Sequence, residues 1–267
     1  MHTFVIVLLV LIGLTGLFTL GFMIAPRPFR SHPAPAQPGA PRPFQPGLPP
    51  PVEKHFLETL TAQPQEITTA VVWGRGRAHI RGIWVPLRFK AWYREGEAFS
   101  RRFEVTWFQK PVLRGQDSYL EGKGTFEIGD RPVSGPQTDL GQLLELWVGM
   151  LWMPMVFVHN PRVVWEAVDD HSARLIVPFG NAGEPLTAHF DPITGRMTDI
   201  TATRYSEESA TEREPWRVDL LAWKTMNGLL IPWQVDIAWD ESGAPRVYWN
   251  VDGIVYNVNV ADQLDEG

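Results

Sequence analysis

The chain has 267 residues, 44% of them hydrophobic, enough for one large core or two small ones. It holds no cysteine, which excludes disulfides, thiol catalysis, thiolate metal sites and acylation at a lipobox. Net charge is −6, and residues 53–267 carry 21 basic and 30 acidic residues, a balance expected to repel nucleic acid phosphates and anionic lipid headgroups.

Phe4 to Ala25 runs for 22 residues without a charge. At about 1.5 Å per residue such a helix crosses the roughly 30 Å hydrocarbon layer. The apolar region of a cleaved signal peptide is shorter, and the nearest small-residue cleavage candidate, Ala34-Pro35-Ala36, lies far downstream. Residues 1–25 therefore read as an uncleaved anchor. Arg27 and Arg30 follow it, which by the positive-inside count puts the domain in the cytoplasm. The very short N-terminal segment argues the opposite orientation, that of a signal anchor, and an extracytoplasmic domain is the side expected here.

Residues 26–51 form a linker in which eleven of 26 positions are proline. Such a composition buries no core and favours polyproline II, with a reach of up to roughly 80 Å at about 3.1 Å per residue. A spacer is the plain reading; a PxxP ligand is the functional one.

A single β-rich domain is expected over 52–262, ahead of a short acidic tail, 263–267. It opens with a short helix, Pro50 to Ala62, presenting Val52, Phe56, Leu57 and Leu60 on one face. The period then changes to two. Leu87, Phe89 and Ala91 alternate with Arg88, Lys90 and Trp92, as in a sheet with one dry face. Arg94 to Glu97 is a hairpin turn; Phe99, Phe103, Val105 and Trp107 make the next inward set, broken by Arg101. Val112 to Leu120 pairs with Thr125 to Ile128.

Asp139 to Val158 is the one long apolar run outside the N-terminus. Asp139 with Gln142 reads as a capping box, and Leu140, Leu143, Leu144, Trp147 and Leu151 fall at helical spacing. Leu146, Val148, Met150 and Trp152 fill the other sides, so the helix is buried all round until Pro154 stops it. Strands resume with Val163, Trp165 and Ala167, turn at Asp169 to Ser172, and turn again at Asp191 to Gly195. Ser206 to Glu214 is a loop; Asn227-Gly228 and Glu241 to Ala244 are further turns. About a dozen strands with short turns give an α+β fold, mainly antiparallel β: a strongly curved sheet or half-open barrel wrapping a central helix.

The runs WVPLRFKAWYREGEAF (84–99), RRFEVTWFQKPVLRGQDSYLEGKG (101–124), VVWEAVDDHSARLIVPFG (163–180), HFDPITG (189–195) and PWRVDLLAWK (215–224) resemble a bacterial family of single-pass proteins known as domain of unknown function 6544. The resemblance covers roughly residues 50–260. It brings no activity and no catalytic residues. The family's β-rich layout is similar by analogy to the LolA-like fold of periplasmic lipoprotein and lipid carriers, which implies a curved sheet over an apolar cavity.

The chain has no P-loop, G-x-S-x-G, H-E-x-x-H or G-x-G-x-x-G motif. Gly74-Arg75-Gly76-Arg77 sits in a strand pattern, where it cannot cradle phosphate as a helix N-terminus does. His189 with Asp191, and Asp169, Asp170 and His171, are groupings that acid–base or metal chemistry uses, although turns use Asp for their own geometry. Asp117 and Asp219 fall near strand centres and need partners, Arg114 and Arg217 being the candidates. No catalytic residue, metal or cofactor is assigned. The candidate ligand-binding set is Trp107, Leu143, Trp147, Met150, Trp152, Met153 and Trp165, either as plain core or as the wall of a hydrophobic cavity. Three functions compete: a membrane-tethered, non-catalytic binding module for a lipid or other hydrophobic ligand; a structural or signalling protein-interaction domain; and a carboxylate/His hydrolase of glycans.

Overall fold

Period-two alternation becomes thirteen antiparallel strands in one unclosed sheet, ordered β6-β5-β4-β3-β2-β1-β13-β12-β11-β10-β9-β8-β7. The computed structural model describes residues 2–33, 37–42, 47–60, 65–180, 182–205, 211–239 and 244–265. The Ala34–Ala36 cleavage candidate, the expected helix end at Ala62, residues 206–210 of the loop, 241–243 of the last turn and residues 266 and 267 of the tail lie outside these. The strands are β1 (Thr69–Ile80), β2 (Ile83–Arg94), β3 (Ala98–Trp107), β4 (Lys110–Leu120), β5 (Lys123–Ile128), β6 (Arg131–Ser134), β7 (Val164–Asp169), β8 (Ser172–Phe179), β9 (Ala182–Phe190), β10 (Met197–Tyr205), β11 (Arg213–Met226), β12 (Leu229–Trp239) and β13 (Pro245–Tyr256). The helices are α1 (His2–Met23), α2 (Pro50–Thr59), α3 (Pro136–Gly149), α4 (Val156–His159) and α5 (Ala261–Asp265). β6 escaped the alternation rule because all four of its residues are exposed.

Every strand is paired to its sequence neighbour, except that β1 also pairs β13 and α3 stands between β6 and β7. The inward residues Leu87, Phe89, Ala91 and Tyr93 of β2 meet Val235, Ile237, Trp216 and Val218 of β11 and β12 in one core. Residues Asp139 to Gly149 of α3 are all buried, and the helix touches β4, β5 and β6 as well as β8 and β10.

Three local expectations need correcting. α3 starts three residues before Asp139, with Pro136 at its first position after Gly135 at φ +129°, which suits glycine. Asp139 is then interior to the helix, and its carboxylate accepts from Gly124 N (2.8 Å) and Lys123 Nζ (3.1 Å), holding the β4–β5 turn. α3 also ends at Gly149, before Pro154: a 3-10 turn covers Met150–Trp152 and α4 follows. In α2, Leu57 is 61% exposed, while His55 takes the place beside Val52 and Phe56.

α1 is long and apolar enough to cross a membrane, and most of it is exposed. Its last turns are not free of the sheet. The Trp107 indole donates to the Phe18 carbonyl at 3.0 Å, and Phe108 N donates to the Gly21 carbonyl at 3.0 Å. The described part of the linker also lies on the sheet instead of extending away. Arg88 and Lys90 donate to the carbonyls of Arg27 and Arg30, Asn257 to that of Gln37, and Phe29 lies 4.6 Å from the Arg88 guanidinium. Polyproline carbonyls have no internal partners, so basic side chains can bind them.

Candidate functional site

The apolar wall begins with α3. Leu143, Trp147, Met150, Trp152 and Met153 are all 2% exposed or less and belong to the main core. Trp152 is tied at both ends of its residue: its indole donates to the Pro232 carbonyl (2.9 Å), and its carbonyl accepts from Tyr256 Oη (2.8 Å). Its ring stacks on Phe89 at 6.3 Å and meets Tyr93 edge-on at 6.1 Å. Trp147 packs on Phe157, which packs on Trp165, whose indole donates to the Phe157 carbonyl (2.9 Å). The structure thus brings six of the seven predicted residues onto or beside one wall. Trp107 stands apart, at the end of β3 against α1. Its period-two position hid this, because the sheet rim lies beyond the reach of α3.

Neither described cavity is lined by any of the seven. The larger, about 300 Å³, is a mixed-charge cleft between the linker and α4, lined by Arg42, Glu66, Glu95, Met155, His159 and Arg162 among others. Burial, then Glu66, raises the Glu95 carboxyl; burial, then Arg42, lowers the His159 imidazole. The smaller, about 10 Å³, lies beside His55 and Trp223, room for about one water.

Four polar atoms around the wall have no hydrogen-bond partner among the described residues: Tyr93 Oη and the indole nitrogens of Trp147, Trp216 and Trp249. Beside them lies a buried ion cluster. Arg101 binds Asp117 bidentately and Glu145 of α3 at 3.1 Å, with Arg204 at 4.0 Å from Glu145. The Arg101 guanidinium lies 4.8 Å from the Trp249 ring centroid. Burial pushes the Asp117 carboxyl up to about 6 against the pull of Arg101, and the two carboxylates raise the arginine further. Sequence reasoning saw Arg101 as a break in an inward set; it is inward, and the register Arg101↔Asp117 pairs it directly. Arg114, three residues from Asp117, bonds Glu104 instead. Arg217 does pair Asp219, as expected.

The two polar groupings lie side by side, Ser172 opposite His189 and Phe190 N donating to the His171 carbonyl, and their carboxylates bond locally. His189 Nδ1 bonds Asp199 (2.8 Å), and Asp191 is spent on its own turn, accepting from Ile193 N, Thr194 N and Thr194 Oγ1. Those bonds lower the Asp191 carboxyl, and Asp169 is lowered likewise by the His171 and Ser172 groups of the β7–β8 turn. Among the described residues, no group of three or more His, Asp or Glu is arranged to hold a metal. The Gly74-Arg75-Gly76-Arg77 run lies in β1, where Arg75 pairs Asp252.

Two features escaped the sequence. Buried His55, brought to about 3 chiefly by desolvation, accepts from Met197 N (3.1 Å) and joins α2 to β10. Asp199, Asp219 and Asp236 stand directly opposite one another on β10, β11 and β12. Burial and then the Asp219 charge raise the Asp236 carboxyl to about 6.

A search of curated proteins finds no match. Among solved structures, the chain is similar to a LolA superfamily protein from Nitrosomonas europaea (9% identity, TM-score 0.45, covering 80% of this chain and 95% of that one). It is also similar to a DUF1329 family protein from Desulfovibrio piger (9% identity, TM-score 0.42, covering 73% and 88%). No function follows from likenesses this distant. The sequence family described as "Family of unknown function (DUF6544)" matches residues 43–251, and the chain belongs to it.

Proposed function

We propose that the chain is a membrane-tethered, non-catalytic binding module for a lipid or other hydrophobic ligand. In this reading residues 1–25 are the anchor, 26–51 the linker, 52–262 the binding unit and 263–267 a tail, with the unit outside the cytoplasm. The sheet folds over α3, and the ligand takes its place against Leu143, Trp147, Met150, Trp152, Met153 and Trp165 by displacing part of that packed wall. One observation carries the reading: the wall is rich in methionine and tryptophan, yet among the described residues the Trp147 indole and the Tyr93 hydroxyl have no partners. A core built only to be stable pairs its buried polar atoms, whereas adaptable methionine surfaces repack around ligands.

The full chain purified in detergent is expected to carry a co-purifying lipid in native mass spectrometry and to bind a fluorescent acyl chain, with Trp147→Ala weakening both. No extractable lipid together with no acyl-chain binding would sink the idea.

Protein interaction is the second reading. It is favoured by β7, an edge strand whose Val164 and Val168 are each about half exposed. Such an edge accepts a partner strand, and Val168→Lys is expected to abolish that pairing without unfolding the sheet.

A further inference from the structure

Antiparallel pairing brings two hairpin tips to the same end of the sheet. The β1–β2 tip turns at Ile80↔Ile83 and the β3–β4 tip at Trp107↔Lys110. From the shared pair Leu87↔Val105, Ile83 lies four residues out and Phe108 three. At about 3.3 Å per residue the tips project roughly 13 and 10 Å, nearly level.

Three observations converge on this rim. First, it grips α1. The Trp107–Phe18 bond is five residues, about 7.5 Å of rise, inside the end of the apolar helix. A Cβ on Gly21 would overlap the Trp107 ring, so glycine is what allows the contact. Second, the rim is apolar and aromatic. Ile80 and Ile83 are 37% and 45% exposed, and Trp84 sits between His79 and Tyr248 at 5.2 and 5.1 Å. Third, both tips are basic. Residues 67–94 and 105–116, which hold both tips but stop short of Glu104 and Asp117 in β3 and β4, contain eight Lys and Arg and no acid. Arg77, Arg81 and Lys110 near the tips are exposed and, among the described residues, form no ion pair.

We propose that this rim docks on the surface of the bilayer that holds α1, with Trp84, Trp107 and Phe108 at headgroup level and Arg77, Arg81 and Lys110 on anionic phospholipid phosphates. The inference rests on the tether reading above. Indole rings prefer the membrane interface, and cations near an anionic leaflet each add attraction. Most of the acidic excess of the domain lies in residues 163–260, outside both hairpins.

The absence of cysteine makes the test clean. The full chain carrying Gln109→Cys at the rim or Ile193→Cys at the opposite end is labelled with bimane. It is then reconstituted in nanodiscs of phosphatidylcholine and phosphatidylglycerol containing a headgroup-proximal doxyl lipid. Blue-shifted emission and quenching are expected at Gln109→Cys and not at Ile193→Cys. Loss of that quenching is expected when Arg77→Glu, Arg81→Glu and Lys110→Glu are added. Equal quenching at the two sites, or none at either in a chain that resists carbonate extraction, overturns the docking. A chain released by carbonate overturns the tether reading, and the docking with it.

Discussion

Strands β1–β6 and β7–β13 meet at the β1–β13 pair and pack on the same helix, but they carry opposite charge. Residues 65–134 hold twelve basic and eight acidic side chains; residues 163–260 hold seven basic and fifteen acidic. The first half receives the linker and α1 on arginine, lysine and tryptophan. The second half stacks three aspartates across adjacent strands. A net charge averages these into one modest number and misstates what each surface can approach. Electrostatic partners are chosen locally, within about 10 Å at ordinary salt.

Inside, two joints tie the halves through α3 and the turn after it, and breaking them gives the largest effects. Arg101→Ala leaves Asp117 and Glu145 buried without their cation. It is expected to cost about 3–5 kcal/mol in urea denaturation. An Arg101→Met, Asp117→Leu, Glu145→Leu triple variant recovers much of this if the cluster serves specificity more than stability. Trp152→Ala removes the ring that stacks on β2 and bonds β12, for about 3 kcal/mol. A loss below about 1 kcal/mol for either would mean that the halves do not depend on α3 for their union.

The next prediction isolates the acidic half. Asp236 has its folded pKa raised to about 6 from 3.8, so the folded state holds that proton more tightly. Its contribution is present below the unfolded value and is lost as pH rises from about 4 through about 6. Asp236→Asn is therefore expected to flatten that decline and stabilise the protein by about 1 kcal/mol at pH 8, since like charges opposed across strands repel. Asp117 shifts in the same direction, so the decline is reduced and not abolished. Thermal melts at pH 4 and pH 8 read both.

The smallest effect tests the basic half. Lys90→Ala removes one donor to a linker carbonyl. Global stability is expected to change by about 0.5 kcal/mol at most. Limited proteolysis within residues 26–51 should nonetheless quicken, because Lys90 holds the strap at the Arg30 carbonyl.

Much of the sheet was legible because alternation states directly which face is dry: Leu87, Phe89 and Ala91 appear inward as read, although Trp92, read as wet, is buried in a second cluster on the other face. The buried helix was legible in its interior and misread at its ends, since Pro136 and Gly135 carry no apolar signal. What stayed hidden depends on register. Asp199, Asp219 and Asp236 lie about twenty residues apart in the chain and become neighbours only when hairpin lengths set the pairing. Trp107 was read by its parity and not by its place at a rim. The linker, read as a free spacer, has carbonyls that basic side chains of the sheet can reach.

The notch at Gly21 has a mechanical consequence. With Trp107 seated against it and two hydrogen bonds across the joint, the helix and the sheet share no freely rotating bond there. The domain cannot swing like a float on a line; it turns only when the helix turns about its own axis. On the proposed tether, any neighbour in the same bilayer meets it at one height and in one attitude, so that recognition becomes a search over position and a single angle.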